Sequence, residues 1–126
     1  MEGYIVNVKN TSKELTARER VKIKDLTNAV ELAEVTKGDG HFLFTPVAWA
    51  ELQIHNEFAE DKDYSQFVLL DGEGTKLSTG SESFWTSFMD IWNEMGGQTE
   101  EEPWSLDCYG MPSKNFKGNF LTCSLV

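Results

Sequence analysis

The chain has 126 residues, 40% hydrophobic, 12% aromatic and 25% charged, and its 11 basic and 21 acidic side chains give a formal net charge of −10. That length and balance fit one globular domain with a core of its own and exclude a fibrous or disordered chain. No apolar run approaches the roughly 20 residues of a membrane span, no basic-then-apolar leader opens the chain, and two cysteines are too few for a disulfide framework, so a reducing compartment and reduced core thiols at Cys108 and Cys123 are expected.

In chain order, Tyr4 to Val8 alternates apolar and polar residues and reads as a strand. Thr16-Ala17-Arg18-Glu19 has the spacing of a capping box and predicts a helical turn. Arg20-Val21-Lys22-Ile23-Lys24 then alternates strictly, which predicts a strand with three cations on one face. A weaker alternation runs from Ala29 to Val35, and Lys37 to Gly40 is a turn. His41 to His55 reads as a long strand interrupted by Pro46, at an edge or bulge. Asn56 to Asp63 is a polar, acidic loop, and Tyr64 to Leu70 and Thr75 to Thr79 flank Asp71-Gly72-Glu73-Gly74 as a hairpin.

The clearest helix follows Ser81-Glu82-Ser83. Phe84, Phe88, Ile91, Trp92 and Met95 fall on one face of a 3.6-residue period, a serine caps the start, and Gly96-Gly97 ends it. Trp104 to Met111 and Asn119 to Val126 predict a closing pair of strands. Five or more strands with one helix, over about 82–95, between a middle and a closing hairpin is the layout of an OB-fold-like Greek-key barrel, mainly β, in a single domain over 1–126. The barrel class binds oligonucleotides or oligosaccharides.

No convergent catalytic set is legible. His41 and His55 are isolated and read as structural imidazoles, no Walker or dinucleotide glycine pattern occurs, and the acidic clusters match no metal loop. The expectation is therefore a non-enzyme with no metal and no cofactor.

The charge is unevenly placed. Residues 1–24 hold six bases against three acids, residues 111–126 hold two bases and no acid, and the 86 residues between them carry −15. If the two ends meet, a cationic groove lies on an anionic body. Single strands are bound by such grooves together with aromatic faces on which bases stack. The candidate cations are Arg20, Lys22, Lys24, Lys114 and Lys117. The candidate rings are Trp49, Tyr64, Tyr109 and Phe116, Trp104 is a further ring offered from a strand, and Phe116 stands between two lysines in a polar turn.

The ordered set Lys9 to Leu15, Asp71 to Phe84, and Met111 to Gly118 with Leu121 to Leu125 resembles small single-stranded DNA-binding proteins of tailed phages of Gram-positive and gut bacteria, including phages that replicate by protein priming. The resemblance implies an OB-like barrel in the host cytoplasm that coats and protects displaced DNA strands during phage replication, without sequence preference and with replication proteins as further partners. It carries over the closing hairpin Lys114 to Lys117 and the basic strand Arg20 to Lys24. Leu52 and Leu77 stand where some relatives have rings, and the acidic C-terminal tail of cellular counterparts is not matched. Oligomeric state is left open. The alternative reading, motivated by the −15 stretch, is an acidic DNA mimic that occupies a host nucleic-acid-binding protein.

Overall fold

A computed structural model of the chain describes residues 3–112 and 119–126. The elements in order are β1 (Tyr4–Thr11), α1 (Ala17–Lys24), β2 (Val30–Glu31), α2 (Leu32–Val35), β3 (His41–Phe44), β4 (Ala48–Asn56), β5 (Asp63–Leu70), β6 (Lys76–Thr79), α3 (Glu82–Met95), β7 (Leu106–Pro112) and β8 (Asn119–Leu125). The molecule is mainly β. Its strands form a five-stranded sheet in the order β1-β4-β5-β6-β2 and a three-stranded sheet in the order β3-β7-β8. All pairings are antiparallel except β2 with β6. Among the described residues no pairing joins the two sheets into the closed barrel expected from the element order.

Pro46 explains how one apolar stretch serves both sheets. It cannot donate to a ladder, so the run from His41 to Asn56 breaks around it. The first half, β3, pairs with β7, and the second half, β4, pairs with β1 and β5. Gln98 fastens the break: its Nε2 donates to Pro46 O (2.8 Å) and Trp104 O (3.0 Å), while its Oε1 accepts from Trp104 N–H (2.9 Å).

The helix α3 forms as its period demands. Ser81 caps it, its hydroxyl accepting from the Phe84 amide at 3.2 Å, and Gly96 ends it in the left-handed region at φ 69°. Its stripe buries Phe84 and Phe88 fully against Leu69, Leu77, Phe44, Leu106 and Cys108, with Trp92 and Met95 partly buried beside them. A Phe→Ala change at such a site costs about 3–5 kcal/mol. The two cysteines face each other across the β7–β8 register, reduced and buried in this core. Burial raises both thiols, Cys123 to about 12.

The other face of the five-stranded sheet has a second core of Val6, Ala50, Leu52, Ile54 and Val68, closed by Leu15 and by Ile23 of α1. Here the structure corrects the sequence reading. The capping box forms as expected, Thr16 Oγ1 accepting from Glu19 N–H (3.2 Å) and Glu19 Oε1 from Thr16 N–H (3.1 Å), but the helix it starts runs on through Lys24. Arg20, Lys22 and Lys24 are therefore exposed on a helix rather than ranged along one strand face. Three forces favour this outcome. Arg, Glu and Lys are good helix formers, basic side chains suit the last turn of a helix, and burial needs only Ile23, leaving Val21 70% exposed. The Lys76 ammonium, on a residue only 9% exposed, donates to the terminal carbonyls Lys22 O (2.8 Å) and Asp25 O. It satisfies groups that a helix end leaves unpaired.

Candidate nucleic-acid interface

The five-stranded sheet has a core on each face, whereas the outer face of the three-stranded sheet is open and carries the candidate ring Tyr109, so it is the one to build from. Along β7, Leu106 and Cys108 point into the core, and alternation turns Asp107, Tyr109 and Met111 outward. The register carries the same outward face to Leu43 and His41 on β3 and to Ser124, Thr122 and Phe120 on β8. The face is exposed: Leu43 is 67%, Met111 42% and Phe120 40% accessible.

Its centre is a stacked pair, the His41 and Tyr109 rings lying 5.0 Å apart at 27°. His41 Nδ1–H donates to both Asp107 oxygens (2.9 and 3.0 Å), and the Tyr109 hydroxyl shares a hydrogen bond with Ser124 Oγ at 2.6 Å. These bonds hold both rings edge-on to their partners and leave their orientation set before any ligand arrives. Next along the strands, Met111 and Phe120 are direct cross-strand neighbours. Beyond them the chain enters residues 113–118, so Lys114, Phe116 and Lys117 lie outside the described residues; Pro112 and Asn119, which flank them, are paired.

The remaining candidates are elsewhere. Trp49 is on the α3 side of β4, edge-on to Trp85 (5.3 Å, 80°), and its buried Nε1 has no hydrogen-bond partner among the described residues. Trp104 is 4% exposed, meets Trp92 edge-on and donates from Nε1 to Gly97 O at 3.0 Å. Tyr64 packs against the second core beside Ile54. Trp49, Trp104 and Tyr64 are thus packing residues rather than free stacking faces. Arg20, Lys22 and Lys24 ride on α1, over the five-stranded sheet. Of the candidate rings described, Tyr109 alone sits on the open face, with the strands that lead to Lys114, Phe116 and Lys117.

Three exposed residues were not singled out in the sequence. His41 reads there as an isolated imidazole because its partner lies 66 residues away. Phe120 was legible in part: the closing hairpin, once registered, places it opposite Met111. Phe58, 82% exposed on the β4–β5 loop, was hidden by its acidic neighbours. That loop is pinned by His55, whose Nδ1 meets Asp63 Oδ1 (2.8 Å) and whose Nε2 meets Glu57 Oε1 (2.6 Å). The hydrogen bonds to Asp63 and Glu57 raise the His55 pKa, and the bond to His55 lowers that of Glu57. Among the described residues no group of three or more His, Cys, Asp or Glu side chains is arranged to hold a metal ion, and no helix is long and apolar enough to cross a membrane.

Compared with protein families, with curated proteins and with solved structures, the chain has no match.

Proposed function

We propose that the protein is a non-enzymatic binder of single-stranded DNA, holding bases without sequence preference on the outer face of β3-β7-β8. The observation that carries this reading is the open sheet face on which a pre-set His41–Tyr109 stack and the exposed Met111–Phe120 pair lie along the two strands adjoining residues 113–118, whose sequence holds Lys114, Phe116 and Lys117. Stacked bases need π-faces and apolar area, and their phosphates need nearby cations. The element order supports an OB-like reading of the face: one apolar run whose two halves enter different sheets, a hairpin, a helix filling the core beneath, then a closing hairpin. On this reading the protein coats strands displaced during phage genome replication in the host cytoplasm, alongside replication proteins.

The net charge of −10 shapes the expected binding. With only Lys114 and Lys117 close to the face in sequence, about two phosphates are neutralised, and the slope of log K against log salt should be shallow, about −1.4 for a single strand. Fluorescence anisotropy of labelled oligo-dT, single-stranded and in duplex with oligo-dA, tests this. Preferential binding of the single strand with that shallow slope supports the reading. Absence of oligonucleotide binding at low salt, with salt-sensitive capture of a basic single-strand-binding host protein, would replace it with the DNA-mimic alternative.

A further inference from the structure

The sheet edges are treated unequally. β8 has its edge covered by α3, whose Ser83 hydroxyl donates to Leu121 O (2.8 Å) and whose Ser87 hydroxyl meets Thr122 Oγ1 (3.2 Å). β2 is two residues long and β3 four, too short to template a partner. β1 is eight residues long and terminal in its sheet. The Glu57 amide donates to Gly3 O (2.6 Å), so antiparallel alternation makes Ile5–His55 and Asn7–Gln53 the hydrogen-bonded pairs. The peptide groups of Tyr4, Val6 and Val8 then point away from β4, along an edge that no described strand occupies. A bulge between Val8 and Asn10 ends this stretch.

Beside that edge runs a cleft of ≈ 490 Å³ between β1 and α1, lined by Tyr4, Ile5, Asn7, Val21, Lys24 and Asp25. Val21, on the α1 side of the edge, is 70% exposed, and Ile5, which alternation turns to the opposite face from Val6, is 54% exposed. Lys24 lines the cleft, and it and the other α1 cations, Arg18, Arg20 and Lys22, make no ion pair among the described residues, on a protein that is otherwise strongly anionic. Asp25 is the one acid lining the cleft, and its carboxylate is engaged by Thr27.

From these features we infer that the β1 edge is a docking site for an extended, acidic peptide segment of a partner protein, which adds to the sheet as a sixth strand. Main-chain bonds to Tyr4, Val6 and Val8 fix it, its alternate apolar side chains lie beside Ile5 on the face away from α1, and the carboxylates between them face Arg20 and Lys24 on the α1 side. A second copy of this chain fits poorly, because two-fold β1–β1 pairing brings the cations of one α1 toward those of the other. This surface is separate from the face assigned to DNA and does not depend on that assignment.

The test uses the full chain and an acetylated, amidated eight-residue peptide alternating glutamate and valine, with a twin N-methylated at alternate residues as the control that keeps charge and loses donors. Amide exchange followed by NMR should show the Tyr4 and Val6 amides fast in the free protein and at least tenfold slower with the peptide. The methylated twin should give no protection, and Arg20→Glu with Lys24→Glu, both exposed, should weaken the peptide at least tenfold while the far-UV spectrum is unchanged. Equal binding by the twin, binding that leaves those amides fast, or dimerisation through β1 overturns the inference. So does protection of the same amides by oligo-dT, which would give the α1 cations to nucleic acid instead.

Discussion

Truncating Phe120 separates binding from stability more cleanly than any other change on the open face. The ring is 40% exposed and pairs across the strands with Met111, itself 42% exposed. An exposed cross-strand pair contributes roughly 0.2–1 kcal/mol to a sheet, far below the 3–5 kcal/mol of a buried phenylalanine such as Phe88. Phe120→Ala should therefore cost about 1 kcal/mol in folding. Against the 5–15 kcal/mol typical of a domain, that leaves the protein almost wholly folded. If a base stacks on this ring, the same change removes about 1–3 kcal/mol of binding, or roughly 5- to 150-fold in Kd for oligo-dT.

The assay is anisotropy of an end-labelled oligonucleotide, with a urea titration of each variant alongside. Intrinsic tryptophan emission is the wrong readout. Trp49, Trp85, Trp92 and Trp104 all belong to the core around α3, none on the open face. Trp49→Phe is the matching control, expected to change the urea midpoint and leave Kd alone. Unaltered oligo-dT affinity in Phe120→Ala, or an equal loss in Trp49→Phe, would refute the assignment of the face.

The hydrogen bonds that His55 donates to Asp63 and Glu57 raise its pKa above the unfolded value near 6.5. Their stabilisation is therefore complete below about pH 6.5 and fades as pH rises through the folded pKa. Urea midpoints of the wild type should fall across that interval, and those of His55→Gln should not; parallel curves would remove the clamp from the account. Lys76→Met keeps the buried stem but strips the ammonium from Lys22 O and Asp25 O, and should cost about 1–3 kcal/mol with loss of helical signal from α1. A variant as stable as the wild type would show that water serves those carbonyls equally well. Cys108 and Cys123, buried and with raised pKa, should resist Ellman's reagent in the native state and react promptly in urea; native reactivity would mean that the β7–β8 pair opens readily.

What the sequence disclosed was local. The α3 stripe, its serine cap and its glycine stop lie within 16 residues and depend on nothing else, and the Asp71 to Gly74 turn is equally self-contained. Pro46 announced a break in a long apolar run, though not that the halves would join different sheets. The segment from Arg20 to Lys24 misled because five residues satisfy a period of 2 as readily as a helix that buries one of them. Trp49 could not be sorted into core or surface from its own strand, since helices cover both faces of that sheet and alternation then distinguishes two cores rather than inside from outside. The His41–Tyr109 stack was out of reach, because it depends on β3 pairing with a strand more than 60 residues away.

The placement of the candidate surfaces follows from how the apolar residues are shared out. One helix, α3, cannot cover both sheets on every side. It fills the space beneath both sheets and screens the β8 edge. The short, polar α1 has one buried side chain to give, so it closes the second core at Ile23 and leaves its cations and Val21 outside. Among the described residues the outer face of β3-β7-β8 and the β1 edge then stay unfilled. On the two readings proposed, each presents what a different polymer lacks in water: flat rings for bases that have lost their stacking partners, and unpaired peptide groups for a chain that has not yet joined a sheet.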